Sequence, residues 1–241
     1  MIEYIIAFIF GFAAELIDGM LGMGYGVTLN SLLLSLGLTP AYASAAVHTS
    51  EVFTTLASGV SHLKFGNIDK KLFVNLMVPG TLFAVLGAYI LVNFPSGLLR
   101  KLVSLYLLFM GGIVILRAFG KNIFFKRVNA KILAAIGGLL DAMGGGGWGP
   151  IVTSTLIAGG NDPKKTVGSV NLAEFFVTIS QILTFIALIG LVSPMLILAL
   201  IPGGIVAAII SSYLCSKMPT KTLMILVGAL ILTVNLRNLF L

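Results

Sequence analysis

Two glycine-rich stretches of the sequence match each other: residues 18–26 read DGMLGMGYG, and residues 141–149 read DAMGGGGWG. When Asp18 is aligned with Asp141, the glycines at 22, 24 and 26 fall on those at 145, 147 and 149. The same ungapped alignment matches three further pairs: Pro40 with Pro163, Glu51 with Glu174, and Pro79-Gly80 with Pro202-Gly203. The pattern predicts that the chain is a duplication of one structural unit.

The composition of the chain is that of a protein embedded in lipid. Hydrophobic residues make up 58% of its 241 residues and charged residues only 10%, and the mean hydropathy is +1.09. A bilayer core of about 30 Å needs about 20 apolar residues per crossing, and such runs follow one another along almost the whole chain. We therefore predict an all-α polytopic membrane protein whose surroundings are the lipid bilayer.

Charge and cysteine content exclude several other classes. The net charge is +7, but the basic residues lie in short loops between apolar segments and not in one patch, so nucleic acid is not an expected partner. Cys215 is the only cysteine, which excludes an intramolecular disulfide or a cysteine-based zinc cluster. The sequence predicts neither a cofactor nor a metal site.

Each copy of the repeat contains five apolar segments, which in the first copy are residues 2–21, 27–38, 41–63, 72–94 and 98–119. In the second copy the first two segments, 132–143 and 150–158, are too short to cross a bilayer. We interpret each such pair as a re-entrant helical hairpin with its glycine tip near the middle of the membrane, followed by three transmembrane helices. The predicted division is residues 1–117, a cytoplasmic basic loop at 118–128, and residues 129–241.

Basic residues predict the orientation of the chain. With re-entrant hairpins, the loops 64–71, 117–131, 164–165 and 217–221 share one side and hold twelve basic residues, against three on the other side. If each pair crossed the membrane once, the count would be nine against six, which is a weaker bias. The hairpin layout therefore predicts that both termini are extracytoplasmic, and an odd number of crossings per unit makes the repeats inverted.

The glycine tips are the predicted solute site. Glycine leaves backbone N–H groups accessible, and a short helix after each tip directs its positive end toward an anion. Inverted copies would bring the tips together, with Asp18 and Asp141 capping tip amides. The alternative is that the glycines only allow close helix packing. The candidate substrate-binding residues are Gly22, Gly24, Tyr25, Gly26, Asn30, His48, Gly145, Gly147, Trp148, Gly149, Thr153 and Asn171.

The third helix of each unit carries a polar face with a glutamate in its middle. Glu51 and Glu174 lie where a carboxylate is costly in lipid, so both are expected to face the bundle interior. We assign them to proton coupling, and the alternative is that neutral, hydrogen-bonded carboxyls only lock the helices together. His48 aligns with Asn171, so it is either a hydrogen-bonding residue or a proton relay.

The two tips, each introduced by an aspartate, and the repeated Pro-Gly pairs resemble the sulfite exporter TauE/SafE family of bacterial and archaeal permeases. The resemblance covers nearly the whole chain. It implies a cell-membrane transporter, not an enzyme, for a small anionic solute such as sulfite, thiosulfate or sulfoacetate. We expect secondary active transport, with proton coupling as an open question. The alternatives are a passive anion channel and, less favoured, an intramembrane enzyme. The oligomeric state that we consider besides the monomer is a homodimer.

Overall fold

The computed structural model describes residues 2–21, 24–64, 66–121, 128–153, 155–156, 159, 161–215 and 220–239. Within these ranges the regular secondary structure is helical, which confirms the all-α prediction. Helices dominate because a chain in lipid must satisfy its backbone hydrogen bonds internally.

The first half of the chain forms five helices. They are α1 (Ile2–Leu21), α2 (Tyr25–Ser35), α3 (Pro40–Lys64), α4 (Lys70–Asn93) and α5 (Ser96–Ala118). Apolar runs predicted all five of them, and the bounds of α1 coincide with the predicted segment 2–21. Helix α4 begins after Asp69, whose side chain accepts hydrogen bonds from the backbone N–H groups of Lys71 and Leu72.

The second half repeats this order with one change. It contains α6 (Ala130–Gly144), a π-helical turn (Gly149–Thr153, called the π turn below), α7 (Pro163–Ile189), α8 (Pro194–Cys215) and α9 (Thr220–Asn238). The prediction of a short α-helix starting at Pro150 is wrong over the π turn. Pro150 has no backbone N–H to donate, and the next three residues, Ile151, Val152 and Thr153, are all β-branched.

The helices of the two halves pack against each other in exchanged pairs. Helix α1 packs on α8, and its counterpart α6 packs on α4, the counterpart of α8. Both contacts use the repeated Pro-Gly pairs. A Cβ atom on Gly138 would lie 2.3 Å from the carbonyl oxygen of Gly80, and one on Gly203 would lie 2.2 Å from that of Phe8. Two further pairs of counterparts meet directly, α3 with α7 and α5 with α9.

Within the described residues, three helical stretches are long and apolar enough to cross a membrane: Lys70–Asn93, Gly97–Ala118 and Lys165–Ile189. Two shorter apolar stretches are Tyr4–Leu16 and Pro194–Ala207. Many large apolar side chains are exposed, including Leu82 at 64% and Leu183 at 63%. An apolar exterior of this kind is suited to lipid and not to water, as expected of a membrane protein.

The described parts of the basic loops contact one another in pairs. The Lys165 ammonium donates a hydrogen bond to the carbonyl oxygen of Gly66 at 2.7 Å. The Lys221 ammonium lies 4.8 Å from the centre of the Phe119 ring. Each contact joins a loop of the first half to the start of a helix in the second half, α7 in one case and α9 in the other.

Candidate functional site

The two glycine tips touch each other inside the helix bundle. A Cβ atom on Gly26 would lie 2.3 Å from the carbonyl oxygen of Gly145. The side-chain amide of Asn30 donates a hydrogen bond to the carbonyl oxygen of Gly144. Gly24 and Gly145 have φ angles of 118° and 64°, a conformation that favours glycine. The two tips therefore contact each other through their backbones, without side chains between them.

A cavity of about 280 Å³ lies beside this contact. Its wall is built from matched positions of the two halves, together with several unmatched residues. The matched pairs are Gly24 with Gly147, Gly26 with Gly149, Val27 with Pro150, and Glu51 with Glu174. Such a wall places the cavity between the two halves of the chain.

Four acidic residues line this cavity: Glu15, Glu51, Asp141 and Glu174. Glu15, Glu51 and Asp141 are each less than 10% exposed, and Glu174 is partly buried. No lysine or arginine is among the residues that line the cavity in the described part of the chain. Like charges repel one another strongly in so small a space. Some of these carboxyl groups are therefore expected to carry a proton when no solute is bound.

Asp141 organises the second tip. One carboxylate oxygen accepts a hydrogen bond from the backbone N–H of Trp148 at 3.0 Å, and the other accepts one from the Gln181 side-chain amide at 2.9 Å. Its backbone carbonyl accepts a hydrogen bond from the N–H of Gly146 at 3.2 Å. The Asp141 carboxylate thus accepts a hydrogen bond from a backbone N–H of its own tip.

His48 lies behind Glu51, outside the cavity wall. Its Nδ1 atom is 3.2 Å from Oε2 of Glu51, and its Nε2 atom is 3.3 Å from the backbone carbonyl oxygen of Asp141. The imidazole is fully buried and stacks on Phe185 with 6.5 Å between ring centres. His48 therefore links helix α3 to the second tip.

Tyr25 and Trp148 occupy aligned positions but face different surroundings. Tyr25 lines the cavity, and its hydroxyl donates a hydrogen bond to the Ser50 hydroxyl at 2.8 Å. The Trp148 side chain is fully buried, and its indole N–H donates to the carbonyl oxygen of Val170 at 3.3 Å. The indole packs on Gly80, where a Cβ atom would lie 2.5 Å from the ring.

The residues predicted from the sequence to form the site divide into three groups. The cavity wall includes Gly24, Tyr25, Gly26, Glu51, Asp141, Gly147, Gly149, Thr153, Asn171 and Glu174. It does not include Asn30, His48, Gly145 or Trp148, although all four lie within contact of a tip or belong to one. Gly22 and the side chain of Asp18 lie outside what the structure describes.

Three residues at the site were not among the sequence candidates. Glu15 lines the cavity, and its signal was a carboxylate within an apolar segment. The Tyr106 hydroxyl donates a hydrogen bond to the Gly146 carbonyl oxygen at 3.0 Å, but its aligned residue is Ala229, so the repeat gave no signal. The Arg117 guanidinium donates to the Pro150 carbonyl oxygen at 3.3 Å, whereas the charge count had assigned this residue to a loop.

Comparison with known proteins identifies a family and a relative. The chain matches a family model described as Sulfite exporter TauE/SafE over residues 7–238. A relative from Bacillus subtilis (strain 168), described as Probable membrane transporter protein YtnM, is 43% identical over 246 residues, which cover 98% of this chain and 82% of the relative. No solved structure matches the chain significantly.

Proposed function

This chain belongs to the sulfite exporter TauE/SafE family of membrane transporters, and we propose that it is a secondary active transporter that moves a small anion together with a proton. The proposed solute is a sulfur oxyanion or organosulfonate such as sulfite, thiosulfate or sulfoacetate. The family and the curated relative are transporters and not enzymes. The chain is accordingly a multi-pass membrane protein.

The observation that carries the proposal is the cavity between the glycine tips. Gly24 and Gly26 of the first tip and Gly146, Gly147 and Gly149 of the second all line it. Because glycine has no Cβ atom, the oxygens of a solute can approach the peptide backbone closely at these positions. Backbone amides are suitable ligands for an oxyanion when no basic side chain faces the cavity.

The acidic wall of the cavity supports proton coupling. An anion beside Glu51 and Glu174 is repelled by ionised carboxylates and tolerated by neutral ones, so anion binding favours proton binding. The linkage is reciprocal, because protonation then raises the affinity for the anion by the same factor. A cavity of this kind binds and releases the two together.

An inverted repeat explains how one cavity can open to either side of the membrane. The exchanged packing of α1 on α8 and α6 on α4 supports a two-fold relation between the halves. The contacts of Lys165 with Gly66 and of Lys221 with Phe119 support basic loops that share one side. We propose that this side is the cytoplasm, that both termini are extracytoplasmic, and that rocking of one repeat against the other alternates access.

Labelling of single cysteines tests this orientation. In a Cys215→Ala background, a cysteine at exposed Lys121 is expected to be protected from an impermeant thiol reagent in intact cells, and one at exposed Lys101 is expected to react. Lys101 lies near the start of α5, and Lys121 lies just beyond its end. Reaction of the cysteine at position 121 with protection at position 101 would indicate the opposite orientation. Reaction at both positions would contradict the proposal that the basic loops lie in the cytoplasm.

Uptake into proteoliposomes tests the transport function. With sulfite, thiosulfate, sulfoacetate and taurine as test solutes, an acidic exterior is expected to drive accumulation of at least one anion. Unlabelled solute on the opposite side is expected to speed its exchange. Uptake without such trans-stimulation would instead identify a passive channel.

The four carboxyl groups also favour a second candidate, a carrier that exchanges a cation for protons. The two functions differ in the sign of their pH response. Protons compete with a cation for ionised carboxylates, so an acidic exterior would slow cation uptake, whereas it speeds uptake of an anion that enters with a proton. Comparing uptake of rubidium or sodium with uptake of the anions under the same gradient separates the candidates.

A further inference from the structure

The two repeats differ beside their matched glutamates. Three residues before Glu51 the first repeat has His48, and three residues before Glu174 the second has Asn171. Both glutamates line the cavity. An imidazole can gain or lose a proton near neutral pH, whereas an amide cannot. At this position, therefore, Glu51 has a titratable neighbour and Glu174 does not.

The surroundings of His48 determine where its hydrogens lie. Its Nε2 atom is 3.3 Å from the backbone carbonyl oxygen of Asp141, and a carbonyl oxygen can only accept a hydrogen bond. Nε2 must therefore carry a hydrogen for this contact to be attractive. In a neutral imidazole the other nitrogen, Nδ1, is then an acceptor with a lone pair.

The contact between Nδ1 and Glu51 consequently needs one more proton. Nδ1 lies 3.2 Å from Oε2 of Glu51. A hydrogen bond forms either between a protonated Glu51 and neutral His48 or between ionised Glu51 and protonated His48. Both forms contain the same single proton and have no net charge. Without that proton, a lone pair would face a carboxylate, and the two groups would repel each other.

We propose that the proton coupled to transport is held between His48 and Glu51, one per cycle, and that Glu174 does not carry it. This inference rests on the proposed proton-coupled function. The proton leaves Nδ1 or Oε2 for water in the cavity and returns by the same route, and no other bond is made or broken. The pair of His48 and Glu51 thereby has no net charge when an anion is bound and one negative charge when the cavity empties.

The second tip is connected to the same proton. The carbonyl of Asp141 that accepts from His48 Nε2 also accepts the N–H of Gly146, a cavity-lining residue of that tip. Loss of the proton separates His48 from Glu51 and loosens the anchor of His48 at this carbonyl. Proton release and movement of the tip are thus mechanically linked, as alternating access requires.

Other titratable groups surround the pair and set the conditions under which its proton leaves. Ionised carboxyl groups near the pair disfavour a negative charge on it, so they hold the proton in place until the anion departs or the membrane side changes. The groups on the neighbouring helices are Glu15 of α1, Tyr25 of α2, Tyr106 of α5, Asp141 of α6 and Glu174 of α7.

Accumulation at zero membrane potential tests the proposal. One proton per anion sustains about tenfold accumulation for a gradient of one pH unit, and two protons would sustain about a hundredfold. We expect about tenfold accumulation for the wild type and for the control variant His62→Asn, which changes the other histidine. Glu174→Gln is expected to reach the same final accumulation, whatever its transport rate. Glu51→Gln and His48→Asn are expected to equilibrate the anion without accumulation.

A second measurement needs no solute. The protein has two histidines, so ¹⁵N-histidine labelling with His62→Asn leaves the His48 ring alone in the nuclear magnetic resonance spectrum. We expect a hydrogen on Nε2 at all pH values at which the protein is folded. We also expect a proton shared between Nδ1 and the Glu51 carboxyl in the wild type. In Glu51→Gln that proton is expected to be absent, because the side-chain amide donates its own hydrogen to an unprotonated Nδ1. A bare Nε2 in the wild type would overturn the inference.

The outcomes separate this inference from the function on which it rests. If none of the four test solutes responds to a pH gradient in the wild type, the proposed function fails, and the spectrum still decides where the proton lies. If the wild type accumulates an anion and Glu51→Gln or His48→Asn does so equally, the function stands and the inference fails. Loss of accumulation in Glu174→Gln alone would assign the proton to the second repeat.

Discussion

The two glycine tips begin with one sequence pattern and continue differently. After the first tip the chain forms α2 (Tyr25–Ser35), and after the second it enters the π turn (Gly149–Thr153). The residue that follows the last tip glycine is Val27 in one case and Pro150 in the other. The glycines thus determine where the chain reverses, and the residues after them determine which helix follows.

The tips also differ in the side chains that hold them. The second tip receives hydrogen bonds from Asn30 and Tyr106 and is organised internally by Asp141, and Arg117 donates to Pro150 directly after it. On the other side, α9 contributes Asn235, whose amide donates to the Ser31 hydroxyl of α2 at 2.7 Å and therefore supports the helix after the first tip. The two halves of the chain therefore match more closely in the sequence of their tips than in the side chains that support them.

The largest expected effect comes from separating the tips. In Gly26→Ala the new methyl group would lie 2.3 Å from the backbone oxygen of Gly145, so one tip must move. Overpacking of this kind costs about 1–3 kcal/mol, and we expect at least about a tenfold loss of transport rate. The control is Gly112→Ala in α5, where no atom lies within 4 Å of the new methyl. Equal transport by both variants would contradict the tip contact.

A smaller effect is expected from altering the support of the second tip alone. In Asp141→Asn, an amide N–H₂ replaces one of two acceptors, and it would face either the Trp148 N–H or the Gln181 amide. We expect a loss of about 1–3 kcal/mol from the free energy of unfolding, because a buried donor is left without an acceptor. Thermal unfolding in detergent measures it. Asp162→Asn, at the exposed start of α7, retains its cap and is expected to have little effect.

The smallest effect is expected at Tyr106. The change Tyr106→Phe removes one hydrogen bond to the Gly146 carbonyl, worth about 0.5–1.5 kcal/mol. The first repeat has no matching interaction, since α9 has Ala229 at the aligned position. We expect KM for the transported anion to rise by several fold. The lipid-facing change Tyr89→Phe should leave KM as it is, and identical values in both variants would show that this support is dispensable.

Much of the fold could be predicted because the information was local. Apolar length and repeated glycines identified the helices of the first half, and the bounds of α1 agree with its apolar segment. The π turn could not be predicted, because its geometry depends on Pro150 and on packing against α6 and α7, and not only on hydrophobicity. Periodicity alone does not distinguish one type of helical turn from another.

The candidate site was less accessible to sequence reasoning where the repeats break symmetry. Alignment treats Trp148 as equivalent to Tyr25, but only Trp148 finds a glycine, Gly80, with room for its ring. The bond from Tyr106 to Gly146 joins residues 40 positions apart and has no copy in the other half. Contacts of this kind follow from tertiary packing, which a repeat pattern does not encode.

The most direct test of the account is binding of an anion at the tips. In Gly147→Ala the new methyl group would lie 2.0 Å from the Tyr106 hydroxyl oxygen, and adding Tyr106→Phe removes that clash. The double variant should therefore fold, with a methyl group still at the tip backbone. Isothermal titration of the purified protein with the anion that the wild type transports is expected to show binding in the wild type and in Tyr106→Phe, and none in the double variant. Undiminished affinity in a folded double variant would place the anion site away from the glycine tips.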